Sequence, residues 1–422
     1  MLLEQIDCPH CWTRFPAEDI LAVAEDPTLV GDSRLGDYEQ KRFLPTEFNE
    51  HGEPLDLRGR VCHRFACPNC HLNLPACVLE APTLFMSIAG APASGKSFYL
   101  AAATYNLPGQ MLNGFSMNFT EPDPVMNERL IKDRDRLFIN VTNSTVTLDK
   151  TQEPAAGLYY DDVDFDGVQT IYPKPFIFNI SPRTNHPAHE DAAALMRTFC
   201  LYDNAGESYL PRAYADPITL PVTRHLARSA AIFFLFDPTQ DARFVRAGNR
   251  PGDHNVERDN NAAPQHANAN QEAVVAELIR RLRDYRHMNM RDRFQEPFIV
   301  IVSKADVWGS YAGVELDIEP IARMRSNNRI ISALRAGMIR EFSSKTRKFL
   351  LKNSPALIAN VEGFADNVLY IPVSATGREP ETDAKTGEIG FHPKDIKPKW
   401  VTVPFLYALA RLIPDSVTIL DR

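Results

Sequence analysis

Apolar residues along this chain gather into short blocks. Six of them read as strands: TLFMSIA at 83–89, PFIFNI at 175–180, TFCLYD at 198–203, AAIFFLFD at 230–237, PFIVIVS at 297–303 and VLYIPVS at 368–374. Several are apolar at every position. That pattern suits strands covered on both faces by helices, since a half-solvated strand alternates. Helical spacing falls between the blocks, at about 96–105, 271–287, 320–350 and 400–413. Strands alternating with helices predict an α/β fold with a doubly wound, mostly parallel sheet.

The blocks begin only after residue 80. Residues 1–80 are cysteine-rich with scattered turn signals and read as one unit; 81–415 read as the α/β unit. Two polar, turn-rich stretches, 106–172 and 244–270, read as insertions in that second unit.

At 422 residues with 44% hydrophobic content, the chain can bury a sizeable core. A formal charge of −8 argues against a general nucleic-acid binder. No apolar run approaches the length of a membrane span, and the N-terminus MLLEQIDCPHCW lacks a basic region followed by an apolar one. A cytoplasmic protein without membrane partners is expected.

The block at 83–89 leads into Gly90-Ala91-Pro92-Ala93-Ser94-Gly95-Lys96-Ser97, a full match to G-x-x-x-x-G-K-[ST] between a strand and a helix. Small residues let the backbone curl until its N–H groups face a phosphate chain, and the helix N-terminus adds to the field. Lys96 would reach the β- and γ-phosphates, and the Ser97 hydroxyl would ligate Mg²⁺. The alternative is a glycine-rich turn before an ordinary helix.

Later strand ends carry further candidates. Asp203-Asn204-Ala205-Gly206-Glu207 contains D-x-x-G: the aspartate can hold Mg²⁺ through water, and the glycine N–H can sense a γ-phosphate. Ser303-Lys304-Ala305-Asp306 resembles [NT]-K-x-D. Guanine offers two donors in its plane, N1–H and the 2-amino group, and one carboxylate, Asp306, can accept both. The Lys304 stem can lie along the ring. At Ser374-Ala375 a backbone N–H can face guanine O6.

Six of the seven cysteines precede residue 78. Cys8-Pro-His-Cys11 and Cys67-Pro-Asn-Cys70 are two C-P-x-C turns, and together they give the four thiolates of a tetrahedral Zn²⁺ site. Disulfides or a redox pair are the competing readings. His10, His71, Cys62 and Cys77 are spare candidate ligands, while Cys200 reads as a small buried residue.

The boxes, in this order and each at a strand end, resemble the translation-factor-like P-loop GTPases over about residues 83–413. That resemblance implies a Ras-like nucleotide domain, GTP and Mg²⁺. With the cysteine turns, the chain looks like the zinc-ribbon-bearing double-GTPase domain proteins of bacterial conflict and defence systems. These are often encoded beside a second GTPase, which implies a protein partner of that kind or an effector. The chain departs from the pattern at Ser303, shorter than Asn or Thr; at Glu207, where many such GTPases carry the water-orienting glutamine; and at Pro92 and Ala93, where glycine is common. The Mg²⁺-ligating switch threonine is expected at Thr151, with Thr147 and Thr170 behind it. Arg183, Arg224 and Arg228 are the arginines nearest plausible switch positions. Lys96, Gly206 and Glu207 are then the catalytic candidates for GTP hydrolysis. Two other readings stay open. An ATPase or kinase using the same loop would leave Asp306 without a role, and a GTP-binding scaffold without turnover would work through its ribbon.

Overall fold

The computed structural model describes residues 2–140, 145–148, 160–204, 206–209, 222–241, 243–244, 271–326, 329–383, 387 and 389–421. All six apolar blocks are strands, with ends close to those expected. They are Thr83–Gly90 (β1), Phe176–Pro182 (β3), Arg197–Asp203 (β4), Ala231–Phe236 (β5), Phe298–Val302 (β6) and Val368–Pro372 (β7). A seventh, Met117–Thr120 (β2), joins them at one edge, giving the order β2-β3-β4-β1-β5-β6-β7.

The pairs β4–β1, β1–β5, β5–β6 and β6–β7 are parallel, whereas β2–β3 and β3–β4 are antiparallel. Parallel neighbours need a crossover, and helices lie between the strands: Lys96–Gln110 (α1), Glu128–Arg134 (α2), Gln271–Tyr285 (α3), Ala305–Ala312 (α4), Ala336–Asn353 (α5) and Pro355–Phe364 (α6), with Val403–Leu412 (α7) after the last strand. The chain leaves β1 toward one edge, returns to β4 beside β1, then continues from β5 on the other side. The crevice at the strand C-termini around β1 is therefore the point where an open α/β sheet takes its ligand.

Both faces of β5 and β6 are buried in the main core at every position, as their unbroken apolar sequence requires. The β3–β4–β1 half differs. Phe178, Phe199, Leu201, Met86 and Ile88 face that main core. The opposite face, with Phe85, Ile177, Cys200 and Tyr202, packs on Ile6, Trp12, Phe15, Leu74 and Val78 of the N-terminal region. Helices were expected on both faces. On this one the cysteine-rich region does the covering, together with Val163 and Tyr172 of a hairpin.

That N-terminal region is built of short strands, among them the pair Gln5–Asp7 with Arg14–Pro16. It also holds a four-stranded sheet ordered Arg42–Phe43, Leu21–Val23, Phe65–Ala66, Asn73–Leu74.

Two expectations are corrected. The segment 320–350 is not one helix: Ile321–Ser326 and Arg329–Arg335 pair as an antiparallel hairpin, and helix α5 starts only at Ala336. The alternation in IARMRS and the β-branched pair Ile330-Ile331 favour strand pairing over the helical period. The stretch 106–172 is more than an insertion, since it contributes β2 to the main sheet and the hairpin Tyr160–Phe165/Val168–Pro173. The hairpin turns on Asp166 (φ 56°) and Gly167 (φ 91°), the Asp-Gly pair that a tight hairpin turn demands. Of 244–270, all but Phe244 lies outside the described residues. Among the described residues no helix is long and apolar enough to cross a membrane.

Candidate functional site

Strand β1 ends at Gly90, and the loop to α1 passes through Ala93 (φ 58°) and Gly95 (φ 94°). Two left-handed residues curl the backbone into a cup, with the N-terminus of α1 as its base. Ala93 takes this conformation despite its Cβ. Lys96 is buried, and its Nζ donates to the Gly90 carbonyl oxygen at 3.2 Å, folded back across the loop.

Three other strand ends meet this loop or each other. After β4, Gly206 opens a short 3₁₀ turn against it. A Cβ on Gly206 would stand 2.5 Å from Pro92 N and 2.8 Å from the Gly90 carbonyl oxygen, so only glycine fits. After β6, the Ser303 hydroxyl donates to the Ser94 carbonyl oxygen at 3.1 Å. The short serine thus ties the SKAD box to the 90–97 loop. After β7, the Ser374 hydroxyl donates to Asp306 Oδ1 at 2.5 Å and accepts from the Gly377 N–H at 2.8 Å. The exposed carboxylate of Asp306 is thereby held at the mouth of the SA turn.

Lys304 takes φ 56°, and its Nζ pairs with Asp237 Oδ2 at 2.7 Å. This fixes the stem that was read as a ring-stacking surface. Asp237 and Gln240, whose Nε2 donates to the Ala93 carbonyl oxygen at 2.6 Å, belong to the frame but to no motif. The only sequence signal for Asp237 is its place at the end of an unbroken apolar strand.

Asp203, at the end of β4, is a deeply buried charge. Its side chain is 1% exposed, and Arg129 Nη2 donates to its Oδ2 at 2.8 Å. Its Oδ1 has no hydrogen-bond partner among the described residues, and neither does the buried Ser94 hydroxyl in the loop. An orphaned carboxylate oxygen, together with a loop of small residues leading into a helix N-terminus, fits a hydrated Mg²⁺ with a phosphate chain.

Beside Asp203, Asn204 Nδ2 lies 2.9 Å from Nε2 of His225 and 2.9 Å from the Val222 carbonyl oxygen. The other ring nitrogen of His225 meets the Ser87 hydroxyl of β1 at 2.6 Å. Burial pushes the His225 pKa down to about 3, so the ring is neutral. It stacks on Tyr202 with centroids 4.6 Å apart.

The four ribbon sulfurs converge. Cys8 and Cys70 Sγ are 3.8 Å apart, Cys11 and Cys67 Sγ 3.7 Å, and all four lie within 4.8 Å of one another. A tetrahedron with Zn–S arms of about 2.3 Å has sulfurs about 3.8 Å apart. The spacing fits zinc and is too wide for disulfides, and all seven cysteines are unpaired. Backbone N–H groups of His10 and Asn69 donate to Cys8 and Cys67 Sγ at 3.3 and 3.4 Å, orienting the thiolates. The spare candidates stay outside the cluster. His10 Nε2 meets the Asn73 carbonyl oxygen, His71 Nδ1 meets the Asp32 carboxylate, and burial pushes Cys62 and Cys77 up to about 11.

The remaining candidates scatter. Thr151 and Ala205 lie outside the described residues, as does the side chain of Glu207. Thr147 is exposed, and Thr170 sits in the hairpin opposite Val163. Arg183 donates its N–H to the Ser116 carbonyl oxygen, Arg224 opens the short turn Arg224–Arg228, and Arg228 pairs with Asp7 of the N-terminal region. Among the described residues, Arg129, which no motif marks, is the arginine paired with Asp203.

No family model and no curated protein matches the chain. Among solved structures it is similar to Sup35 complexed with GDP (11% identity, 70% of this chain, 38% of that one, TM-score 0.24). It is also similar to the GTP-bound Ski7 GTPase-like domain of S. cerevisiae (13%, 70%, 43%, TM-score 0.24) and to a Thermus thermophilus protein (11%, 79%, 40%, TM-score 0.24). The chain spans about two fifths of the length of these structures. Overlaps this slight give no residue correspondence, and the functional reading rests on the site's own geometry.

Proposed function

We propose that the chain binds GTP with Mg²⁺ and hydrolyses it slowly, as a switch whose state a partner protein reads. One observation carries the reading: a single loop receives Gly206 from one strand end and the Ser303 hydroxyl from another, with Asp306 in the same box. In this reading the amides of residues 91–97 hold the phosphates, with Pro92 giving none, and Lys96 leaves the Gly90 carbonyl for the β/γ-oxygens. Ser97 and Asp203 face Mg²⁺, Gly206 N–H senses the γ-phosphate, and Thr151 is the switch threonine. Bound Mg²⁺ supplies neutralising charge at the phosphate oxygens. Asp306 accepts from guanine N1–H and the 2-amino group, the Ala375 amide faces O6, and Lys304 covers the ring. Glu207 accepts from the attacking water, yet it lacks an amide donor and repels the γ-phosphate. Turnover is therefore slow until a partner assists.

Cys8, Cys11, Cys67 and Cys70 hold Zn²⁺ as a structural cross-link. On the family resemblance, the partner is a second GTPase or an effector of the same bacterial defence system, and the chain works in the cytoplasm.

Calorimetric titration with non-hydrolysable GTP and ATP analogues in Mg²⁺ tests the reading. A GTP preference of at least about tenfold is expected, since adenine leaves the Asp306 carboxylate unmatched. Asp306→Asn should move preference from guanosine toward xanthosine nucleotides. Equal ATP binding would sink the base assignment, and absent single-turnover hydrolysis, with or without partner extract, would leave a scaffold.

A further inference from the structure

Asp203 cannot lie bare where it is. A carboxylate whose side chain is 1% exposed needs a counter-charge, and Arg129 provides it at 2.8 Å. The guanidinium lies over the Phe176 ring, its carbon 4.6 Å from the centroid, and 18% of the side chain is exposed. Beside the pair is a cavity of about 80 Å³, lined among others by Arg129, Lys174, Phe176 and Asp203. It has room for several waters. The second carboxylate oxygen, Oδ1, has no partner among the described residues.

We propose that Arg129 is a resident stand-in for the divalent cation: it neutralises Asp203 in the nucleotide-free protein, and Asp203 exchanges it for hydrated Mg²⁺ when the nucleotide arrives. The proposal rests on the GTP reading above. A guanidinium and a divalent cation crowded on one buried carboxylate repel each other, so the two alternate. The moving part is the side chain. Asn127, at the start of α2, clamps the helix to β3 through two hydrogen bonds with Ile177, its Nδ2 donating to the carbonyl oxygen and its Oδ1 accepting from the N–H, both at 2.8 Å. With its base fixed, Arg129 leaves Asp203 by rotating its side chain toward the adjoining cavity. Nucleotide binding is thus coupled to Mg²⁺ concentration through a competition that lies within the chain. Arg129 is a positioning residue in this scheme, acting through Asp203.

The test uses the full chain and a non-hydrolysable GTP analogue, titrated over a range of MgCl₂ concentrations. Arg129→Gln should lower the Mg²⁺ concentration for half-maximal binding by roughly tenfold, within the usual range of coupling between two ligands of one group. Arg129→Lys, which keeps the charge, should stay close to wild type. Equal Mg²⁺ midpoints for wild type and Arg129→Gln, with the analogue still bound, would overturn the exchange and leave the GTP reading standing. A wild-type protein that binds no analogue at any Mg²⁺ concentration overturns both.

Should Arg129→Gln fail to fold, the wild type still decides. Its Arg129 Nε–H resonance, assigned by its loss in Arg129→Lys, should shift when Mg²⁺ is added to the analogue complex and return with chelator. A resonance that ignores Mg²⁺ overturns the exchange.

Discussion

Cys8, Cys11, Cys67 and Cys70 offer four side-chain sulfurs already spaced for an ion, whereas residues 90–97 are small except for Lys96. The ribbon centre is closed and made wholly of the chain's own groups. The loop at 90–97 is an open frame shaped by neighbours such as Gly206 and Ser303. A centre of the first kind holds the fold together, and one of the second kind is free to gain and lose its ligand. The two share a wall, because Tyr202, next to Asp203, donates its hydroxyl to the Pro9 carbonyl inside the first cysteine turn at 2.6 Å.

The largest effect expected from separating them is removal of the metal. Chelation, or Cys67→Ser, should uncover Phe85, Cys200 and Tyr202 and cost several kcal/mol, a Tm drop of roughly 10 °C or more. Thermal unfolding followed with zinc content checks this, and an unchanged Tm would show the ribbon to be a passive appendage.

Gly206→Ala sharpens the comparison from the other side. The new Cβ must displace the Gly90–Pro92 backbone, which should weaken binding of a GTP analogue by about tenfold while zinc content stays at one ion per chain. Equal affinity in the variant would mean that the turn after β4 takes no part in holding the phosphates.

The smallest effect lies at the seam. His225 is neutral with its pKa pushed down to about 3, against an unfolded value near 6.5. The unfolded chain takes up the proton first as pH falls, so this group withdraws stability below pH 6.5, at most about 1.4 kcal/mol per pH unit. Denaturant midpoints at pH 6.5 and 5.5 should fall less steeply for His225→Asn than for wild type. Parallel slopes would remove His225 from the account.

What the sequence disclosed follows the same division. Sulfur spacing and the G-x-x-x-x-G-K-S string are local, and so are strands apolar at every position; each was legible before any coordinates. The Asp166-Gly167 turn was equally local and passed unread inside a polar stretch. The hairpin at 321–335 was misread because its apolar spacing also fits a helix. Arg129 and the ribbon's cover over Cys200 and Tyr202 join residues far apart in the chain, and no short-range pattern encodes them.

The Tyr202–Pro9 contact also bears on how the molecule is made. Synthesis delivers the first cysteine turn 193 residues before Tyr202, so Trp12 and its neighbours lack the cover of β4 until that strand emerges. A ribosome-bound intermediate truncated before residue 197 would therefore leave the apolar face of Ile6, Trp12, Phe15 and Val78 without the strand that closes over it.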